Sequence, residues 1–451
     1  MPAQEMKVRE VAWSELFPWL MLVRSIRIAL MARVIVLGAS GLIVTALGWW
    51  LIGQAFSGSE DPVIERWRGT GSPWFWEHSP EFWVATSARS AAEVFYSAWE
   101  GLLEAPLSVW LYFTRPFIDL FRADLTPTGF LFLLLCGVWE LLVWGVLGGA
   151  ITRIAALRFT RDEAPGPVGA VLQAARKLPS YSLPPLVALA GAAVFAIQLA
   201  LVGLLMRLDV LAIVAAIFWP FVLLLGLLMA ILLLGALVGW PLMWSTVSVE
   251  GTDAFDALSR SYAYTYHRPL RLLLYVLFAA LLAIVSMFVV KLFATAAIGL
   301  GDWSVDWGLD RPTMRAVVRP GVSPLDVREV APPAVTVTPR DDEGTRITIE
   351  PSPVVDETPE TNALLTGARR TIRFWKSLVA ALAAGYQAGF LWVSAVGVYL
   401  LMRRDIDGVQ LNEVYIDPAD EYGMPPLADE ATTGVPEVAP AAPAQPGDTA
   451  D

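Results

Sequence analysis

The sequence predicts an all-α, polytopic transmembrane bundle of about six spans, with amphipathic interfacial helices and one small β-hairpin in an outer loop. Three observations predict it. Of 451 residues, 56% are hydrophobic and only 17% are charged, a balance that soluble domains do not reach. Six apolar runs attain the ~20 residues a helix needs to cross a ~30 Å hydrocarbon core. Arginine clusters occupy alternate links, around Arg24 to Arg33, Arg153 to Arg176, Arg260 to Arg271, and Arg403 with Arg404, and they share one side only if the chain crosses six times.

The elements follow in order. In 1–33, Trp13, Leu16, Phe17, Leu20 and Met21 recur at helical spacing before Arg24 and Arg27, as expected of an amphipathic helix in the inner interface. The first span, 34–56, reads as a retained signal anchor, because the segment before it is over thirty residues long. An outer loop, 57–127, carries Trp67, Trp74, Trp76, Trp83, Trp99 and Trp110, and its helical ribbon around Pro106 and Pro116 is expected on the outer leaflet.

A four-span core, 128–298, holds runs at 128–151, 185–206, 221–244 and 272–294, and Trp219-Pro220 sets off a short segment at 210–218. The outer loop 299–370 is rich in Pro and acids, with alternating residues at 334–338 and 346–350 that predict a hairpin. The region 371–402 contains the sixth span, at 377–402. The tail, 403–451, becomes low-complexity Ala, Pro and acids and is expected to be disordered. The positive-inside tendency places both termini on the cytoplasmic face of the cytoplasmic membrane.

The layout repeats within the core. A span ending near Gly149 leads through a basic amphipathic segment to Pro184, and a span ending near Gly239 leads through another to Pro269. Transporters often show such duplicated hairpins, although duplication alone does not define one. The run EGTDAFDALSRSY, 250–262, together with LMRRDIDGVQLNEV, 401–414, resembles uncharacterised bacterial multi-pass membrane proteins. The span, helix, span layout is loosely similar to the membrane domain fused to some glycerophosphodiester phosphodiesterases. That resemblance implies a membrane module; the soluble barrel and metal constellation of those enzymes have no counterpart here.

The polar residue that stands out is Glu140, in CGVWELLVWG, 136–145, where an ionised side chain at mid-bilayer costs at least ~2.5 kcal/mol. Tyr386 and Gln387 at similar depth, and Gln198 somewhat nearer the outer side, are its candidate partners, either in a proton or cation site or in a neutral interhelical hydrogen bond. Lys291 is expected to snorkel at the outer end of its span. Gly235 with Gly239, and Gly385 with Gly389, permit close helix approach, within the chain or between two copies. Asp253, Asp256 and Arg260 mark an inner-face helix that either docks a partner or serves as an elbow, with Thr252 or Asp253 as its N-cap. Asp302, Asp306 and Asp310 read as solvated acids, and His267 as a headgroup neighbour.

Catalytic grammar is missing from the sequence. It contains no nucleophile elbow, phosphate-binding loop or paired-histidine metal motif, and its single cysteine, Cys136, excludes an intrachain disulfide. No catalytic, cofactor or metal residue is therefore assigned. The expected partners are the lipid bilayer and a membrane or envelope protein, and not nucleic acid, since no polybasic tract offers itself. The expected role is a non-enzymatic envelope scaffold or accessory subunit, the alternative being a small-solute or ion transporter that uses the duplicated hairpins and Glu140.

Overall fold

The computed structural model describes residues 17–69, 101–122, 124–163, 165–309, 363–411 and 413–415, a few isolated residues, and the backbone of short strands at 334–340, 344–350, 427–428 and 437–438. Trp13, Trp74, Trp76, Trp83, Asp310 and most of the tail past Tyr415 lie outside the described residues; the start of the tail corrects the expected disorder, since a helix runs on to Asp407 and Tyr415 bonds back to Val249. Six helices are long and apolar enough to cross a membrane: α2 (Ala32–Ala55), α5 (Pro127–Thr160), α7 (Leu178–Leu205), α9 (Trp219–Glu250), α11 (Pro269–Asp306) and α12 (Ala363–Asp407). Shorter helices link them: α1 (Arg24–Ala29), α3 (Pro62–Gly69), α4 (Ala105–Asp119), α6 (Pro167–Arg176), α8 (Asp209–Ile217) and α10 (Ala254–His267). The fold is the expected helical bundle, and the outer hairpin pairs β1 (Ala334–Arg340) antiparallel to β2 (Gly344–Glu350).

The chain's last long helix is its central one. In α12, 83% of the most apolar stretch is buried, against 6% in α9 and 11% in α7. Its small residues explain the position. A side chain on Gly385 would meet the backbone of Ile35 and Ala39 in α2, one on Gly38 would meet Gly385, and Gly389 faces Val34. The GYQAG motif is thus spent on backbone contact inside the chain, as small-residue interfaces are where lipid supplies no hydrophobic drive.

Tryptophans fasten α2 to α5. Trp144 Nε1 donates to Thr45 Oγ1 at 3.0 Å, Trp139 Nε1 to the Val44 carbonyl at 3.1 Å, and Trp49 Nε1 to the Cys136 carbonyl at 3.2 Å. Gly41 and Gly48 leave room for the indoles of Trp144 and Trp139. Each indole therefore buries a large apolar body and satisfies its one donor.

The helices outrun the predicted spans. The apolar segment at 128–151 belongs to a helix ending at Thr160, and that at 221–244 to one ending at Glu250. Trp219-Pro220 starts α9, where the missing proline N–H costs nothing. The segment before it, α8, has no buried residue.

The ribbon around Pro106 and Pro116 has two faces: Leu107, Leu111 and Ile118 stay exposed, while the other face packs on the bundle, a contact the outer-leaflet expectation did not include. Helix α4 enters the bundle, where Phe113 is fully buried with ring centroids 4.6 Å from Trp144 and 5.3 Å from Trp392. Phe117 fills the space left by Gly137. An apolar stripe at helical spacing reads the same whether it packs on protein or on lipid, so periodicity alone does not tell which face meets the bundle.

The duplication is visible as packing. In the first copy Gly145 and Gly149 of α5 accept Leu178, Tyr181 and Ser182 of the returning chain; in the second, Gly235 and Gly239 of α9 accept Tyr262 and Ser261 of α10. Ser261 Oγ donates to the Gly239 carbonyl at 2.7 Å and Tyr262 OH to the Leu232 carbonyl at 2.6 Å. GALVG, like GYQAG, is an intrachain contact.

Candidate functional site

The predicted intramembrane set does not assemble around Glu140. Its carboxyl is fully buried, and neither oxygen has a hydrogen-bond partner among the described residues. Tyr112 of α4 and Cys136, one turn away, are within its electrostatic reach. Tyr386 instead lies toward Ser286 of α11, and the Gln387 carbonyl oxygen is buried without a hydrogen bond among the described residues. Gln198 is exposed on the flank of α7. A buried unpaired charge is costly, so this packing accommodates the neutral acid.

Lys291 departs from expectation too. It is buried at 9% exposure, well inside α11, because that helix continues to Asp306. Ser286, Thr295 and Asp302 are buried in the same helix, and Asp302 forms an ion pair of 2.5 Å with Lys376 of α12. The snorkelling assignment failed because it took the end of the apolar run as the end of the helix.

Below this polar line aromatic rings crowd together inside the bundle. The Trp244 and Trp392 indoles stack with centroids 4.3 Å apart and planes inclined by 21°. Trp144, Trp240 and Phe113 surround Trp392 at 5.3 to 6.3 Å. Rings from α4, α5, α9 and α12 therefore meet at one level.

The densest polar chemistry lies beyond that cluster, at the arginine-rich end. The Glu250 carboxylate at the end of α9 accepts from Tyr399 OH at 2.6 Å and pairs with Arg260 Nη1 at 2.7 Å and Arg403 Nε at 3.0 Å. The three partners come from α12 and α10. Asp253 caps α10 by accepting from the Asp256 N–H at 2.9 Å, and Asp256 meets Arg260 at 3.4 Å. Arg260 is raised above its usual range: burial opposes its charge, but Glu250 and Asp256 outweigh that. Of the predicted docking trio, Arg260 is thus turned into the bundle, while the opposite face shows Phe255 to the surroundings.

Beside this network the chain past α12 returns as a strap. The Tyr415 N–H donates to the Val249 carbonyl at 2.7 Å, and its own carbonyl accepts from Arg153 Nη1 at 2.8 Å. Lys177 Nζ sits 4.9 Å from the Tyr415 ring centroid and donates to the Gly251 carbonyl at 2.6 Å. Gly251, at φ +68°, ends α9 in the left-handed region, and any side chain there would strike the Tyr415 ring. Deeper, Tyr181 OH and Thr152 Oγ1 contact Ser248 Oγ at 2.9 and 2.6 Å.

Between network and strap opens a cleft of about 600 Å³, lined by Arg161, Glu250, Thr252, Arg260, Arg403 and the strap residues Glu413 to Tyr415. Of these, the sequence places only Arg260 in a candidate site, with Thr252 named as a candidate N-cap and Arg403 as part of a charge cluster. Two stretches singled out in the sequence, 250–262 and 401–414, contribute Glu250, Thr252, Arg260, Arg403, Glu413 and Val414 to its lining. Among the described residues no group of His, Cys, Asp and Glu is placed to hold a metal ion. No family model matches the chain, and neither does any curated protein or solved structure.

Proposed function

We propose that the protein is a non-enzymatic scaffold or accessory subunit of the bacterial cytoplasmic membrane, with its arginine-rich end, including the cleft and both termini, in the cytoplasm. The observation that carries the reading is the aromatic cluster. Stacked Trp244 and Trp392, flanked by Trp144, Trp240 and Phe113, separate the polar line of α11 from the polar cleft, so the two do not form a conducting stripe. The orientation is supported by the arginines themselves. Arg24 bonds to the Arg158 carbonyl in the last turn of α5 and Arg33 to the Pro165 carbonyl past it, Arg260 and Arg403 share Glu250, and Arg271 pairs with Asp405, so the clusters gather at one end of the bundle.

The reading is tested by affinity capture from membranes with the full chain and with a variant lacking 310–362. Loss of a co-purifying membrane or envelope protein supports a scaffold; an unchanged set of partners from the deletion undoes it. A transporter is the second reading, favoured by Lys291, Thr295 and the Asp302–Lys376 pair buried on the outer side of the aromatic cluster. In a Cys136→Ala background, cysteines placed singly at Glu140 and Gln387 distinguish the two. Protection from an impermeant thiol reagent on both sides fits the scaffold, and labelling from one side fits transport.

A further inference from the structure

We propose that the cleft at the arginine-rich end binds a phosphate group, carried either by a lipid headgroup or by a soluble phosphate ester. The cleft has the shape of a site, at about 600 Å³, and three helices each supply it with a guanidinium: Arg161 just past α5, Arg260 from α10 and Arg403 from α12. Guanidinium forks match the oxygens of a phosphate in a way a point charge does not.

The guanidiniums are held in place without being used up. Each has five N–H donors. Glu250 pairs with Arg260 Nη1 at 2.7 Å and stands 3.0 Å from Arg403 Nε without a hydrogen bond to it, Asp256 faces a second nitrogen of Arg260 at 3.4 Å, and the Glu413 carbonyl takes one Arg403 N–H at 2.8 Å. Arg161 is the least committed, since Glu163 stands 3.9 Å from it, beyond hydrogen-bond length. Glu250 thus acts as a pin that fixes two forks, and its burial at 8% side-chain exposure keeps that pin dry.

Charge and hydrogen bonding point the same way. Three guanidiniums line the cleft against the carboxylates of Glu250 and Glu413, while Asp256 and Glu163 sit half-exposed outside it, where solvent screens them. The Thr252 hydroxyl, also in the lining, is covered and has no hydrogen-bond partner among the described residues. A buried hydroxyl without a partner is costly, and an oxygen-rich ligand would supply the missing hydrogen bond. The strap carrying Glu413 and Tyr415 closes one side, so the site exists only with Tyr415 seated on Gly251.

The test uses the full chain, once in detergent with inorganic phosphate as probe and once in nanodiscs of phosphatidylcholine with and without phosphatidic acid, binding being read by calorimetry and by native mass spectrometry. Saturable binding of either probe, weakened about tenfold or more by Arg161→Glu at an unchanged melting temperature, supports the proposal, as expected for loss of one charged hydrogen-bonding partner. The arm that responds identifies the source of the phosphate. Arg161→Gln and Thr252→Val serve if the reversed charge disturbs folding. Equal binding by parent and variants, or no saturable binding of either probe by the parent, overturns it.

Discussion

The Trp392 indole lies stacked on that of Trp244, 4.3 Å between centroids, and joins the chain's last long helix to the end of α9. Both rings are fully buried. Trp392→Ala removes the central ring of the cluster and leaves a cavity, and the expected cost is roughly 3–5 kcal/mol. Thermal unfolding in detergent checks it, with Trp303→Ala, half-exposed on α11, as a substitution expected to change stability by under about 0.5 kcal/mol.

Close backbone approach makes a sharper claim. A Cβ on Gly385 would lie 2.5 Å from the Ala39 nitrogen, a backbone atom that does not yield as a flexible side chain does. Gly385→Ala is expected to destabilise by at least ~1–3 kcal/mol through overpacking. Gly203→Ala, in α7 with open space around it, is expected to be neutral or to stabilise by up to about 1 kcal/mol. Equal melting temperatures for the two variants would contradict the α2–α12 contact.

Asp61 gives the expected acid dependence. Its Oδ1 caps α3 by accepting from the Val63 N–H at 2.7 Å, and its Oδ2 accepts from the Thr126 hydroxyl, which in turn accepts from the Gly129 N–H at the start of α5. Burial opposes the charge, but hydrogen bonds from Thr126, Val63, Ile64 and Gly129 outweigh it and hold the carboxyl below the usual range. A lowered folded pKa means that this contribution is fully present above the ordinary value of ~3.9 and is lost as pH falls through the folded value. Melting followed from pH 6 downward should show a loss below about pH 4 that Asp61→Asn reduces.

Glu140→Gln keeps shape and neutrality, and is expected to leave the melting temperature and partner capture unchanged. Glu140→Lys forces a charge into the same space and should cost at least ~2.5 kcal/mol. Abolition of a solute flux by Glu140→Gln would move the balance to transport.

Breaking the Glu250 pin should be severe. Glu250→Ala leaves Arg260 and Arg403 near one another without their shared carboxylate, and the expected loss is about 3 kcal/mol, at the low end for a broken buried pair because Arg260 is partly exposed. Unfolding of Glu250→Ala alongside Arg161→Ala, which leaves the pin intact, separates the structural role of the network from the role of the cleft.

Much of the bundle was legible in composition and periodicity. The six crossings, the start of α9 at Trp219-Pro220, the Asp253 cap and the β1–β2 hairpin each rest on local chemistry: length against bilayer thickness, a missing amide donor, a side-chain acceptor, two-residue alternation. Helix ends were less legible, since α5, α9 and α11 run on past their apolar stretches under tertiary packing. Lys291 was misplaced for that reason.

The sequence by itself determined six segments long and apolar enough to cross a bilayer, with arginine clusters on alternate links, because apolar length and charge placement are properties of segments and need no neighbour. Only the tertiary structure decided what the polar residues do. It isolated Glu140, drew α4 into the core against Trp144 and Trp392, and gathered Arg161, Glu250, Arg260, Arg403 and Tyr415 around one cleft from positions far apart in the chain. The physical reason is that a site depends on which faces meet, and in a membrane those meetings are set by where glycines let backbones approach and aromatic rings fill the space that remains.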